Sequence, residues 1–158
     1  MREDEVTRPD GQAGLYGVVE VRAPAVFVVP VTDAGEVVLV EVDRYATGGR
    51  SWEVPAGGSD GQDLFVAAQR ELLEETGLVA GELTALARVQ SLNGVADAPG
   101  QVFLASRYKK ATLDRRRRGD TRVSRFREPT SGKFSHPTSA GLPRRPVRTA
   151  DHARVRLR

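Results

Sequence analysis

The stretch AGGSDGQDLFVAAQRELLEETGL, residues 56–78, decides how this chain folds. Its first part, residues 56–63, is rich in glycine and contains no apolar run, which is typical of a loop. The part that follows, residues 64–76, has apolar residues at helical spacing and no internal glycine or proline. The sequence therefore predicts a glycine-rich loop that leads into a helix.

Capping residues mark both ends of this helix. Asp63 is a side chain that can accept hydrogen bonds from the first free backbone amides of a helix. Gly77 can adopt the left-handed conformation with which helices commonly end. Between them, Phe65, Ala68 and Leu72 share one stripe of the helix surface, and we expect this stripe to face a sheet.

Apolar runs on either side of the loop and helix predict six strands. The predicted strands are residues 15–21, 25–31, 36–42, 51–54, 83–90 and 101–105. The run AVFVVPV at 25–31 is too continuously apolar for a strand with one face in water, so we place it inside a covered sheet. A turn signal at residues 33–35 predicts a hairpin between this strand and the next. Residues 1–15 are polar and carry only a turn signal.

Length and composition restrict the class of protein. The chain has 158 residues, of which 39% are hydrophobic and 28% charged, which suits one domain with its own core. No apolar run approaches the ~20 residues of a membrane-spanning helix, and the N-terminal residues are too polar for a secretory signal. The absence of cysteine excludes disulfides and thiolate metal sites, so we expect a cytoplasmic protein.

The distribution of charge divides the chain into two parts. Residues 1–106 contain 7 basic and 17 acidic residues, whereas residues 107–158 contain 17 basic and 4 acidic residues. From about residue 111 the chain is rich in Arg, Pro, Ser and Thr and shows neither strand nor helix periodicity. We therefore predict a domain over residues 1–110, incomplete at its C-terminal end, and a basic tail over residues 111–158 that is disordered or atypical.

Three interpretations of the basic tail stay open. Its arginines, four of them in a row at residues 115–118, could bind nucleic-acid phosphates, although no interleaved aromatic residues support stacking on bases. The tail could instead be a disordered solvating segment. In the third interpretation, a change of reading frame near residues 110–125 replaced the end of the domain. Of these three interpretations, binding of nucleic acid is the least favoured.

Three carboxylates crowd one side of the predicted helix. Glu71 and Glu75 are four residues apart and Glu74 lies three residues from Glu71, so they are neighbours on the helix surface. Like charges at this spacing destabilise a helix, and Arg70 alone cannot balance three of them. A hard divalent cation, Mg²⁺ or Mn²⁺, prefers carboxylate and carbonyl oxygens and would compensate the charge. The alternative is a solvated acidic face.

The loop and the helix together resemble a known motif. Glycines at residues 57 and 58 let the backbone approach a ligand closely, and a divalent ion beside them suits phosphoanhydride hydrolysis. Residues 57–78 resemble the Nudix box, Gly-x5-Glu-x7-Arg-Glu-apolar-x-Glu-Glu-x-Gly-apolar. The matching residues are Arg70, Glu71, Leu72, Glu74, Glu75, Gly77 and Leu78. The flanks DRYATGGRSWEVPAGG and SLNGVADAPGQVFLA resemble the ADP-ribose and nucleoside-diphosphate-sugar pyrophosphatase branch.

This resemblance implies a fold, an activity and a set of site residues. The fold class would be α/β, a Nudix-type α/β/α sandwich with a mixed sheet and a loop–helix–loop catalytic motif. The activity would be Mg²⁺-dependent hydrolysis of a nucleoside diphosphate linked to a sugar, and a homodimer is also implied. The implied ligands of Mg²⁺ or Mn²⁺ are Glu71, Glu74, Glu75 and the carbonyl of Ala56, with Arg70 holding the carboxylates. The implied substrate-binding residues are Arg44, Glu53, Gly57 and Gly58.

Two departures from the family pattern favour alternatives to this reading. Gln62 stands where the box has its first Glu, and a neutral amide binds a cation less well than a carboxylate, so a peripheral metal site should be weaker. The acidic residue expected after the box has only Asp114 and Asp120 as candidates. The chain could therefore be a Nudix-like protein that binds nucleotides or partners without turnover. For Arg44, a surface ion pair is as well supported as phosphate binding.

Overall fold

Strands and one α-helix form the part of the chain that the computed structural model describes, residues 1–111 and 122–126. The strands are β1 Arg2–Thr7, β2 Ala13–Glu20, β3 Ala25–Pro30, β4 Val37–Arg44, β5 Gly49–Glu53, β6 Ala56–Gly58, β7 Leu78–Val79, β8 Glu82–Gln90, β9 Ala96–Asp97, β10 Pro99–Ser106, β11 Lys109–Lys110 and β12 Arg122–Phe126. The helix, α1, is Leu64–Thr76, and a short 3₁₀ turn occupies Tyr45–Thr47. No helix in this part is long and apolar enough to cross a bilayer.

A mixed four-stranded sheet, in the order β6-β3-β10-β8, carries α1. Strand β3 runs parallel to β10 and antiparallel to β6, so both of its edges are paired. Its residues Val26 and Val28 are completely buried, together with Phe103 on β10. The predicted position of this strand inside the sheet is confirmed, because a strand paired on both edges and covered by a helix can be apolar throughout.

The helix has the predicted bounds. The Asp63 side chain accepts hydrogen bonds from the backbone amides of residues 65 and 66, at 2.9 and 3.3 Å, and Gly77 ends the helix with a φ of 72°. Ala68 and Leu72 are fully buried, and the ring of Phe65 meets that of Phe103 on β10 edge-on, so the stripe faces the sheet as expected. Phe65 lies at the border of this stripe and is 48% exposed, and the buried face also includes Ala67.

The predicted hairpin between β3 and β4 is not formed. These two strands belong to different sheets and share only the isolated bridge between Val31 and Val37. Strand β4 instead lies between β5 and β12 in a three-stranded sheet. The reason is that β6 and β10 already occupy the two hydrogen-bonding edges of β3. The turn at residues 33–35 is present, but it directs the chain into a second sheet.

The sequence analysis missed six strands, which are β1, β12 and the short strands β6, β7, β9 and β11. Residues 56–58, predicted as part of the loop, form β6. Strand β1 pairs with β2, although its sequence REDEVT is mostly charged. Strand β12 pairs with β4, and Phe126 meets Trp52 with ring centroids 5.2 Å apart. The expectation of an irregular chain beyond residue 111 therefore fails at 122–126. The arginine run and the rest of the basic tail, at 112–121 and 127–158, lie outside the described residues.

Candidate active site

The glycine-rich loop meets the helix at Gly57. Residues 56–58 form the short strand β6, in which Gly57 pairs with Val26 of β3. A Cβ added at Gly57 would overlap the carboxylate of Glu71. Any larger residue here would force the Glu71 side chain to shift, because the backbone of the loop passes directly over this carboxylate of the helix. This contact brings the two halves of the predicted motif together.

Arg70 links the loop to the helix. Its Nη2 donates to the carbonyl oxygen of Gly58 at 2.8 Å, and its Nε donates to Oε1 of Gln62 at 3.1 Å. Its Nη1 lies 2.7 Å from Oε1 of Glu71 and 3.3 Å from Oε2 of Glu74. This arrangement agrees with the implied role of Arg70 in holding carboxylates. The amide of Gln62 satisfies one donor of the guanidinium without adding negative charge.

Glu71 and Glu75 are carboxylates in a poorly solvated position. Glu71 is only 8% exposed, and burial raises its pKa against the opposing effect of Arg70. Burial likewise raises the pKa of Glu75, and repulsion from Glu71 adds to this shift. The backbone amide of Ala56 donates to Oε2 of Glu75 at 3.2 Å and favours its charged form. The two charges therefore lie near one another with less compensation than their burial requires.

Glu74 differs from the other two glutamates because its side chain is 59% exposed and paired with Arg70. As the side chains stand, no three His, Cys, Asp or Glu residues come together as a metal site within residues 1–111 and 122–126. The structure thus brings Glu71 and Glu75 together and leaves Glu74 at the margin. The donor set fits a hard divalent cation, since two neighbouring carboxylates carry unbalanced charge and a third lies one helical turn away.

The β4–β5 hairpin supplies the other side of the site. Its register pairs Arg44 with Gly49 and Val40 with Glu53, which places Arg44 and Glu53 on one face. Arg44 Nε donates to Oε1 of Glu53 at 2.9 Å, and Nη2 contacts Oε2. The Arg44 guanidinium lowers the pKa of Glu53 to about 2. The charges of Arg44 and Glu53 both affect the pKa of Glu75, so the hairpin lies within electrostatic reach of this helix carboxylate.

The structure shows the ion pair that was one interpretation of Arg44, and phosphate binding by Arg44 stays a prediction. The residue forms an ion pair with Glu53, and the same guanidinium lies within electrostatic reach of Glu75. Sequence reasoning missed Ser51, whose Oγ donates to Oε1 of Glu53. The available signal was strand alternation, which puts residues 51 and 53 on one face. The two candidates for an acidic loop residue, Asp114 and Asp120, lie outside the described residues.

Comparison with known proteins identifies the family. The model of the NUDIX domain matches residues 21–137. The chain belongs to the NUDIX family. It is 36% identical over 108 residues to an ADP-ribose pyrophosphatase of Mycobacterium tuberculosis, an alignment that covers 67% of this chain and 52% of the relative. It is also 36% identical to an ADP-ribose pyrophosphatase of Bacillus subtilis, over 65% of this chain and 55% of that protein.

A solved structure supports the NUDIX fold. The crystal structure of an ADP compounds hydrolase superposes with a TM-score of 0.66 at 22% identity and covers 78% of this chain and 68% of the other. The predicted α/β fold class and the resemblance to the ADP-ribose pyrophosphatase branch are thus confirmed. The chain spans only about half the length of the two pyrophosphatases that it matches.

Proposed function

We propose that this NUDIX chain hydrolyses a nucleoside diphosphate joined to a second moiety, of the ADP-ribose or nucleotide-sugar type. Water adds across one P–O–P linkage, so that the hydroxyl goes to one phosphorus and a proton to the oxygen that leaves. The products are a nucleoside monophosphate and a sugar phosphate. The similarity to two ADP-ribose pyrophosphatases supports this substrate class.

One observation carries the proposal. Glu71 is buried and Glu75 is partly buried beside the loop, where the Ala56 amide contacts it, and this burial raises the pKa of both. The charge of Arg44 on the hairpin acts on Glu75. An isolated pair of desolvated carboxylates is unfavourable unless a cation compensates it. An arginine whose charge acts on one of them suits the negative charge of a diphosphate. A site that combines both features can bind a cation and a diphosphate side by side.

Each side chain has a defined task in this proposal. Mg²⁺ or Mn²⁺ would be held by Glu71, Glu74, Glu75 and the Ala56 carbonyl, and it supplies positive charge against the charge that develops on the diphosphate. Arg70 keeps Glu71 and the loop in place through its contacts with Glu71 and the Gly58 carbonyl. The backbone at Gly57 passes directly over the Glu71 carboxylate and so restricts where that side chain can lie.

The substrate side of the site is the β4–β5 hairpin. Arg44 binds a phosphate oxygen, and its charge favours the bound diphosphate before and during bond cleavage. Glu53 is paired with Arg44 and keeps its negative charge at neutral pH because its pKa is lowered to about 2. The homodimer and the cytoplasmic location implied by the sequence remain predictions.

A titration with Mg²⁺ and Mn²⁺ against a panel of nucleotide sugars and ADP-ribose tests this function. We expect metal-dependent release of a nucleoside monophosphate and a sugar phosphate, detected by chromatography. Folded protein that releases neither product from any member of the panel, at saturating metal, would overturn the proposal. The panel also ranks the substrates, because each member differs in its base or sugar.

A second candidate function is nucleotide binding without turnover, which Gln62 favours. In this chain an amide, not a carboxylate, contacts Arg70 at the first acidic position of the box. One fewer negative charge weakens the attraction for a second or third cation. Binding of a nucleotide sugar with no product released under any metal condition would favour this candidate over the hydrolase.

A further inference from the structure

Three polar residues of the β4–β5 hairpin are linked by side-chain contacts. Ser51 contacts Glu53, and Glu53 contacts Arg44. We propose that Ser51 is a positioning residue that fixes Glu53 and, through it, aims the guanidinium of Arg44 at the substrate diphosphate. This inference deepens the proposed function and rests on it. We call these three residues the hairpin clamp.

Both carboxylate oxygens of Glu53 are engaged in the clamp. Oε2 contacts Nη2 of Arg44, and Oε1 accepts from Nε of Arg44 at 2.9 Å and also from Oγ of Ser51. The pairing with Arg44 is bidentate, which fixes the guanidinium and the carboxylate in one plane. The hydroxyl of Ser51 adds a third contact from a short side chain on the same strand. Loss of this hydroxyl leaves the orientation of Glu53 to Arg44 alone, which has a long flexible side chain.

The backbone register builds the clamp on a rigid element. Val42 pairs with Ser51 and Val40 pairs with Glu53, so alternation puts Ser51, Glu53 and Arg44 on the same face of the hairpin. Opposite Arg44 stands Gly49, which has no side chain to compete for the guanidinium. Strand residues hold side chains more accurately than loop residues do, which suits a positioning role.

The clamp leaves donors of Arg44 available for a ligand. Nε and Nη2 are used on Glu53, whereas Nη1 meets no hydrogen-bond acceptor among residues 1–111 and 122–126. The Arg44 side chain is half exposed, and its charge acts on Glu75. The free donors therefore lie at the edge of the site, where a phosphate oxygen can accept from them. Glu53 is fully occupied by its partners, and its task is to hold Arg44.

A matched arrangement elsewhere in the fold provides a control. Ser106 Oγ lies 3.3 Å from Oε2 of Glu82, and Nη1 of Arg107 lies 2.8 Å from Oε1 of the same residue. The residue types are those of the hairpin clamp, but the arginine contact is monodentate and the side chains of Arg107 and Glu82 are 75% and 53% exposed. None of these residues lies in the site described above.

The experiment compares Ser51→Ala, Ser51→Thr and Ser106→Ala with the wild type. Binding of α,β-methylene ADP, whose bridge cannot be hydrolysed, is measured by calorimetry with Mg²⁺ present, and kcat and KM are measured on the best nucleotide sugar. We expect Ser51→Ala to weaken binding and raise KM by roughly fivefold to tenfold, the effect of one ordinary hydrogen bond. We expect kcat within about twofold of wild type, since uniform binding is lost.

The conservative variant and the control complete the test. Ser51→Thr keeps the hydroxyl and should restore KM to within about twofold, while Ser106→Ala should bind and react like wild type, as a surface pair contributes little. The proposed role of Ser51 is overturned if Ser51→Ala and Ser106→Ala have the same KM. It is also overturned if Ser51→Thr does not restore KM, or if the wild type does not bind the probe. If Ser51→Ala weakens probe binding but the wild type releases no product, the proposed hydrolysis is refuted and the proposed role of Ser51 is retained.

Discussion

The carboxylates on the helix side and on the hairpin side of the site have pKa values shifted in opposite directions. Burial raises the pKa values of Glu71 and Glu75 on the helix. On the hairpin, the arginine partner lowers the pKa of Glu53 to about 2. The hairpin carboxylate is thus electrostatically satisfied by the protein itself, whereas the helix carboxylates lack sufficient positive charge. This difference supports the proposals that the hairpin positions Arg44 and that the helix side binds a cation.

The largest effect should come from removing a helix carboxylate. Glu75→Gln keeps the size of the side chain and an acceptor for the Ala56 amide but loses the charge. We expect kcat/KM to fall by on the order of 10²-fold or more, as when a group that stabilises developing charge is removed. The control is Glu82→Gln, which changes an exposed glutamate outside the site. Equal turnover by Glu75→Gln and wild type would contradict the assignment of the helix side.

A methyl group at the contact between loop and helix should have the next largest effect. Gly57→Ala places a Cβ where the Glu71 carboxylate lies, so that carboxylate must move. A displacement of about 1 Å can cost ~10²-fold in rate, and we expect a loss of roughly 10- to 100-fold in kcat. Gly17→Ala is the matched control, because a Cβ there meets nothing within 4 Å. If the two alanine variants react equally fast, the loop does not constrain Glu71.

Thermal unfolding should separate the two sides without any assay of activity. Mg²⁺ at about 100 times its Kd should stabilise the wild type by ~2.7 kcal/mol. We expect Arg44→Gln to retain most of this shift and Glu75→Gln to lose it. Without metal, Glu75→Gln should melt higher than wild type at pH 7, since it removes a partly buried charge whose pKa is raised by desolvation. An equal loss of the metal effect in both variants would remove the distinction between the sides.

The smallest expected effect is a pH dependence of stability that comes from the hairpin. The folded-state pKa of Glu53 is about 2, below its ordinary value of 4.5, because of Arg44. Its contribution to stability is therefore present above pH 4.5 and lost as the pH falls toward 2. A partly exposed pair contributes up to ~1 kcal/mol. Denaturant unfolding of wild type and Arg44→Gln should converge over this range, and a constant gap would contradict the pairing.

The sequence predicted the helix side of the site better than the hairpin side. Asp63 and Gly77 bound the helix in the structure as they did in the sequence, since capping is decided by local backbone chemistry. Arg70 makes the predicted contacts because its partners, Glu71 and Glu74, are near neighbours on one helix. Ser51 was missed, although strand alternation places it beside Glu53, because this contact gains a role only once the pairing of β4 with β5 brings Arg44 to the same carboxylate.

The fold shows a comparable limit. The positions of six strands followed from apolar runs. The pairing of β3 with β10 and the separation of β3 from β4 did not follow from the sequence. A turn sequence predicts a reversal of the chain, and it does not decide which strand fills each edge. Strand β1 was missed because its residues are polar, and it is held by backbone pairing with β2, which side-chain patterns do not reveal.

The sequence by itself determined the loop–helix unit, its glutamates and the family, since these depend on residues close together along the chain. Only the tertiary structure decided that Glu71 is buried and Glu75 partly buried while Glu74 is exposed, and that the charge of Arg44, on another sheet, acts on Glu75. Burial and long-range electrostatic interactions depend on which surfaces pack against each other. This packing involves the whole domain, and no local sequence pattern specifies it.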